Sequence, residues 1–506
     1  MSSNAIVLIA GSLSAIVAPQ PVIDESRAWQ FHADHILGTS LDVVISALDP
    51  QTAILAAKAI RREIGRLDAI YSDWHDQSEL ARLNNGSAAS LSPDLAKLLE
   101  TAAHWRHVTS GAYDERLGAI SALWRQSTAD GENPTPDQVQ NALDRAQSES
   151  VVRNDGRLQR PAGLRFGVDG LAKGLIIDRA LDAAQRAAPT AQGIMIDIGG
   201  DIRCWGCAPG RLGWPVAVAD PFDSSDNGRP LAVLELRNQA IATSGRGSRD
   251  LVLAGVPRPH VIDPRTGIPV LHLAAATVVA ERAADADALA TAFMVMTPEE
   301  SVAFADRTPG VAAHLVSASG AQTASELWDR LKSAAGSARD RVTGTPSRPA
   351  VQRPGPAWPS GFKLDVSYEV PAIKNARYRR PYVAIWITDT DDNVIRTLLL
   401  LGRRPGYAND NYLWWRSYGA EAPTKLAAVS RSTRAPGRYT ASWDGRDDRG
   451  RPVPQGRYRL HIEAVRQFGG HAHSAIDLDL GRTTVERSSP AKQEFGAVRA
   501  RYGRPR

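Results

Sequence analysis

The sequence predicts an α+β region followed by an all-β sandwich of immunoglobulin-like type. In the first half, Ile54, Ala57, Ile60, Ile64, Leu67 and Ile70 recur at helical spacing. Past residue 360 the apolar residues alternate in short runs, as in Phe362-Lys363-Leu364-Asp365-Val366-Ser367-Tyr368 and Tyr382-Val383-Ala384-Ile385-Trp386-Ile387. Between these regions, residues 337–360 are rich in Ser, Arg, Pro and Gly, which is a linker composition. At 506 residues the chain exceeds one ordinary domain, and 43% hydrophobic content is enough for real cores. The formal charge of +5 is modest and its Arg and Lys residues are scattered, so charge gives no sign of nucleic-acid binding. Two cysteines exclude a disulfide-rich scaffold.

The expected division is a leader over 1–28, a mixed domain over 29–336, a linker over 337–360, a sandwich over 361–485 and a disordered basic tail over 486–506. Residues 6–18 form an apolar run with the length of a signal-peptide core, too short for a membrane span and without a preceding Lys or Arg. A strand, a break at Leu37-Gly38-Thr39 and a second strand open the mixed domain. Asp49-Pro50 then caps and starts the helix whose apolar face is given above. A second helix follows from about Pro93 to Thr109, then Ser110-Gly111-Ala112-Tyr113-Asp114, with Leu123-Trp124 closing that segment. Gly167-Val168-Asp169-Gly170-Leu171-Ala172-Lys173-Gly174 reads as a strand-to-helix turn that can aim backbone N–H groups and Lys173 at a phosphate. Its spacing is not that of a P-loop. Ile194 to Arg203 is a buried strand meeting the double glycine Gly199-Gly200, and Trp214 to Asp220 continues the sheet. Cys204 and Cys207 form a C-x-x-C without further ligands, so a structural role or a small-loop disulfide is the expectation.

Three later stretches carry chemistry. Thr243-Ser244-Gly245 lies at a strand end. His260-Val261-Ile262-Asp263-Pro264-Arg265-Thr266-Gly267 sets a proton acceptor beside a rigid turn. Asp287 and Thr291, spaced i and i+4, share one face of an expected helix. A carboxylate and a hydroxyl there are hard oxygen donors of the kind Mg²⁺ takes, although such a pair is by itself ordinary.

Taken in order, these motifs resemble the ApbE-type FAD:protein FMN transferases from about Trp29 to Leu331. The resembling segments are Leu37-Gly38-Thr39 for Met-Gly-Thr, the Ser78-Glu79-Leu80 to Asn84 segment, Ala112-Tyr113-Asp114 for Ala-Phe-Asp, Leu171-Ala172-Lys173-Gly174, Gly199-Gly200-Asp201, and the three stretches above. The resemblance implies that FAD is the substrate and Mg²⁺ the cofactor. It implies a metal site of Asp287, Thr291 and the Ala172 carbonyl, with Asp285 as an auxiliary acid. It implies flavin contacts at Leu37, Gly38, Thr39, Tyr71 or Trp74, Ala112, Tyr113, Asp114, Asp169, Lys173, Thr243, Ser244, Gly245 and Ile262, with His260 as general base. The implied reaction transfers FMN to a Thr or Ser hydroxyl of an acceptor protein, with AMP leaving. Members commonly act in the bacterial periplasm, where a membrane redox complex is one kind of acceptor. An FAD pyrophosphatase and a non-enzymatic flavin binder or electron carrier remain open alternatives.

The second half gives less. Trp443-Asp444-Gly445, Asp447 with Gly450, and Gly456-Arg457-Tyr458 resemble an uncharacterised domain family found near flavin-handling proteins and the sandwich of flagellar hook-capping proteins. Neither supplies an activity. Its acidic loop reads as a solvated turn and Trp414-Trp415 as core. Ser432-Thr433 is a poor match to a flavin-acceptor site, so self-flavinylation at Thr433 is not expected.

Overall fold

The computed structural model describes residues 27–339, 355–401 and 430–505, apart from short internal stretches, together with Leu413 and Trp414. The leader, Trp74 and Thr433 lie outside the described residues.

An eight-stranded sheet organises the first unit, in the order β1-β2-β6-β7-β10-β13-β14-β15, antiparallel throughout. Its strands are β1 (Arg27–Ile36), β2 (Thr39–Ala47), β6 (Gly193–Ile198), β7 (Asp201–Gly206), β10 (Ala240–Gly245), β13 (Leu273–Ala280), β14 (Ala312–Ser317) and β15 (Gln322–Ala324). Side-chain alternation gives each face its own core. Leu41, Val43, Ile45, Ile194, Ile196 and Ile198 face a helical layer. That layer contains α1 (Pro50–Tyr71), α2 (Glu79–Asn85), α3 (Pro93–Val108), α6 (Ala172–Ala187), α7 (Ala283–Val295) and α8 (Pro298–Arg307). Val44, Cys204, Ile241 and Val279 face the other way, against α9 (Glu326–Arg339) and a hairpin of β8 (Trp214–Val218) and β9 (Ala232–Leu236).

Local chemistry sets the helix starts. The Asp49 carboxylate accepts from Thr52 N–H at 2.9 Å, with Pro50 opening α1. Thr297 and Glu300 cap α8 reciprocally. Asn84 accepts from Phe166 N–H at 2.8 Å and donates to its carbonyl at 3.0 Å, fixing the following loop as another peptide would. A satellite core joins α4 (Gly118–Asp130) and α5 (Pro136–Gln147) to Ile262. Two small sheets complete the unit: β3 (Ala88–Ser90), β4 (Val152–Asn154) and β5 (Arg157–Gln159), then β11 (Leu251–Leu253) with β12 (Val256–Arg258).

Several sequence expectations need correction. Trp214 to Val218 does not continue the main sheet but forms a two-stranded sheet laid over it, because Trp214, Val216 and Val218 pack on its far face. Leu123 and Trp124 do not close a segment; they lie inside α4, and Trp124 Nε1–H donates to the Gly267 carbonyl at 2.8 Å. Cys204 and Cys207 are free thiols rather than a disulfide, Cys204 being buried in the second core.

The second unit is a sandwich. One sheet has the order β20-β16-β24-β23 and the other β19-β18-β17-β21-β22. Its strands are β16 (Lys363–Val370), β17 (Tyr382–Thr388), β18 (Val394–Leu401), β19 (Ser430–Arg431), β20 (Gly437–Trp443), β21 (Gly456–Val465), β22 (His471–Leu480), β23 (Val485–Ser489) and β24 (Val498–Gly503). Their inner faces enclose one core, including Leu364, Ile385, Trp443, Leu460 and Tyr502. The expected disordered tail is thus wrong: residues 485–503 supply two strands. Val498, Ala500 and Tyr502 alternate with Arg499 and Arg501, so one side of a basic-looking segment is entirely core. The acidic turn satisfies itself, since Asp447 accepts from the Arg451 guanidinium at 2.7 and 2.9 Å.

Candidate active site

The start of α6 lies against α7 because two glycines remove the obstruction. A Cβ on Gly170 would stand 2.6 Å from Thr291 Oγ1, and one on Gly174 would stand 2.3 Å from the Ala283 carbonyl oxygen. The two helices then cap each other. Asp178 of α6 accepts from Ala283 and Ala284 N–H, both at 3.0 Å, where Arg282 provides no side-chain cap. Asp287 of α7 accepts from Gly174 N–H at 3.1 Å. Asp287 is only 4% exposed in a largely apolar helix, where a carboxylate needs local compensation. Burial pushes the Asp178 carboxyl upward, while the N–H donors, Arg282 and Arg203 oppose that shift.

Around this crossing the expected residues divide. Ser244 Oγ lies 3.3 Å from Thr291 Oγ1, so Ser244, Thr291, Asp287 and the 170–174 turn form one cluster. Thr243 does not join it. Strand alternation turns Thr243 to the opposite face, where its hydroxyl meets that of Thr277 at 3.0 Å. Gly245 brings β10 close to β13, since a Cβ there would be 2.5 Å from the Ala274 carbonyl oxygen. Lys173 forms an ion pair with Asp201, so its charge is already matched within the chain. Asp169 is exposed on the turn. Asp285 sits near Asp178, Arg282 and Trp105 rather than with Asp287.

Two hairpin turns lie together at one end of the sheet. Leu37 and Gly38 both have positive φ, 50° and 73°, as a two-residue primed turn demands. Leu37 is unusual in holding that conformation without being glycine. The facing turn has Gly199 at 61° and Gly200 at 97°, and a Cβ on Gly199 would strike Thr39 Cγ2 at 2.7 Å. Tyr71, expected as a flavin-stacking surface, is turned inward. It is 3% exposed in the helical core and its hydroxyl donates to the Asp94 carbonyl at 3.2 Å. Ala112 and Tyr113 are buried behind the Ser110-Gly111 turn. Asp114 accepts from Arg116 N–H at 2.9 Å and from its guanidinium at 2.9 and 2.7 Å.

His260 is half-buried at the entrance to its turn. That turn is held from three sides. Asp263 accepts from the Arg265 backbone at 2.9 Å, Arg265 donates to the Val295 carbonyl at the end of α7 at 3.1 Å, and a Cβ on Gly267 would meet Val139 at 2.7 Å. Ile262 buries its side chain in the satellite core. Sequence reasoning missed Asp178, because nothing marks a mid-helix acid as the cap of a helix more than a hundred residues later.

Comparison with known proteins follows the same division. Residues 37–315, just over half of the chain, match the model of the ApbE family. The chain belongs to the ApbE family. Residues 363–497 match a family described as "Predicted periplasmic protein (DUF2271)". An FAD:protein FMN transferase of Treponema pallidum is 29% identical over 300 residues, covering 55% of this chain and 82% of that protein. One from Escherichia coli is 25% identical over 313 residues, covering 60% and 88%. The solved ApbE protein of Thermotoga maritima aligns with a TM-score of 0.55 at 27% identity, covering 60% of this chain and 99% of that one. All the clustered residues fall inside the ApbE stretch.

A magnesium ion suits this cluster. Asp287 and Thr291 offer a carboxylate and a hydroxyl from adjacent turns of one helix, and Ser244 adds a third oxygen beside Thr291. Ala172 opens α6, so its carbonyl stands in the helical ladder with one lone pair left for a cation.

Proposed function

We propose that the chain transfers FMN from FAD to a Thr or Ser hydroxyl of an acceptor protein, in a magnesium-dependent reaction that releases AMP. The observation carrying this reading is the meeting of Asp287, Thr291 and Ser244 with the 170–174 turn, within a chain that belongs to the ApbE family. Asp287, Thr291 and the Ala172 carbonyl would hold the cation, which would supply charge neutralisation on the diphosphate. In the transfer, the acceptor oxygen bonds to the FMN phosphorus, the bond from that phosphorus to the AMP oxygen breaks, and His260 takes the hydroxyl proton. The 199–200 and 37–39 turns contact the flavin end. The expected compartment is the periplasm, in keeping with the family matched by the second unit. Its sandwich is read as a docking module for acceptors or partners.

The test incubates the protein with FAD and Mg²⁺, with and without an acceptor domain carrying a Thr motif. AMP release that depends on the acceptor, with a fluorescent acceptor band on a denaturing gel, is the expected result. AMP release without acceptor would indicate a pyrophosphatase, and bound FAD without release a flavin binder. Flavin covalently attached to the protein itself would revive Thr433.

A further inference from the structure

The sandwich carries a cavity of about 890 Å³, lined by residues of the segment 356–362 and by Arg482, Arg501 and Arg504. The segment is a fixed wall. Gln455 N–H donates to the Pro356 carbonyl at 2.7 Å, and the Gln455 side-chain amide donates to the Ala357 carbonyl at 2.6 Å. Trp358 packs edge-on against Trp443 and Tyr502, with ring centroids 5.0 and 4.9 Å apart, and Phe362 against Tyr502 at 5.2 Å. What this wall gives the cavity, at Pro356, Ala357, Pro359 and Phe362, is apolar.

The arginines are unmatched. None of the three forms an ion pair with a carboxylate among the described residues, although Asp365 and Glu486 stand beside Arg501 in the strand ladder. Asp365 instead takes Lys363 at 3.0 Å and the Ser442 hydroxyl at 2.6 Å. The charges also stand at separate ends of the wall. Arg504 Cγ lies 4.0 Å from where a Cβ on Gly361 would be, and Arg501 donates to the Arg504 carbonyl at 2.9 Å. Arg482 follows Gly481, whose added Cβ would lie 3.9 Å from Gln455 Oε1, at the Ala357 end. A ligand that meets both ends carries more than one acidic group. Arg482 and Arg504 are exposed and Arg501 is half-buried, so the site is an open trough that a chain can cross.

We propose that this trough binds an extended acidic segment of a partner protein, with its carboxylates on the three guanidiniums and its apolar residues on the 356–362 wall. Successive side chains of an extended segment point opposite ways, so alternating acidic and apolar residues reach both sides of the trough together. A planar guanidinium meets a carboxylate through two parallel hydrogen bonds. The inference rests on the docking role read for the sandwich above, and not on the transfer chemistry.

The test uses the full chain and a fluorescently labelled hexapeptide alternating glutamate and leucine, with dissociation constants measured by anisotropy. The peptide should bind, more weakly as salt rises, and its counterpart with lysine in place of glutamate should not. R482A and R504A should each weaken binding roughly two- to fivefold, with unchanged unfolding midpoints because both side chains are exposed. R499A, on the same strand as Arg501 but outside the cavity lining, should leave binding unchanged. No binding of the acidic peptide, or binding indifferent to R482A and R504A, would overturn the inference. Equal affinity for an oligodeoxythymidylate of the same charge would overturn it in favour of a general polyanion surface. Displacement by inorganic phosphate at the peptide's own concentration would overturn it in favour of a single-anion site. AMP release with acceptor is followed in parallel. A chain that releases AMP but does not bind the peptide loses this inference and keeps the transferase reading, and one that binds the peptide but releases no AMP does the reverse.

Discussion

Asp178 accepts from the first two amides of α7, and Asp287 accepts from Gly174 in the first turn of α6. Each carboxylate belongs to one helix and satisfies the other. Asp178→Asn keeps one acceptor oxygen but brings an NH₂ group against backbone N–H donors. It should cost about 1–3 kcal/mol, lowering the thermal midpoint measurably; an unaltered midpoint would show that the capping is not energetically important. His260→Ala should leave FAD binding intact and slow transfer by roughly 10²–10⁴, as measured by AMP release with acceptor. Full retained activity would remove His260 from the mechanism. Such roles were unevenly legible. Asp287 and Thr291 were legible only through the ordered set of motifs, since an i, i+4 pair is by itself ordinary. Tyr71 looked equally available, yet a tyrosine at core spacing is drawn inward once its hydroxyl finds a carbonyl, and the Asp94 carbonyl is not visible from the local sequence.

Among elements, the crossing of α6 and α7 tolerates little added volume. Gly174→Ala would drive a methyl group into the Ala283 backbone, 2.3 Å away, and should lower stability in a denaturant titration more than Gly170→Ala. Gly170→Ala meets the end of the Thr291 side chain, which can turn away, so its main effect should be weaker magnesium-dependent binding of FAD. Equal effects of the two substitutions on stability would contradict this distinction. In the sandwich, His461 stacks on Trp386 with centroids 4.8 Å apart, and its Nδ1 lies 3.2 Å from His473 Nε2. Burial, then the neighbouring His473, pushes the His461 imidazole from 6.5 down to about 4. Between those values the unfolded chain binds the proton that the folded chain refuses, so sandwich stability should fall as pH drops from about 6.5 toward about 4. A denaturant midpoint for the sandwich that stays flat across this window would refute the assignment, and His461→Asn should flatten the dependence. Strand alternation made most sandwich strands readable. It was overlooked in β24, where arginine on the outer face concealed Val498, Ala500 and Tyr502 on the inner one.

At the scale of the molecule, two separately cored units follow one another along the chain, the first carrying the proposed chemistry. Their division was legible because composition changes abruptly near residue 340 and the apolar period changes with it. The hairpin of β8 and β9 was harder to place, since alternation fits a second layer as well as it fits the main sheet.

β24 stands between β16 and β23, yet it is the last strand of the described chain to be synthesised. Before it arrives, β16 has one unpaired side and the core is open where Tyr502 will sit. The first unit can therefore mature while the second is still waiting. A chain lacking β24 would present an exposed strand edge to proteases and aggregating partners. Docking of β24 thus closes both an edge and a core in a single event.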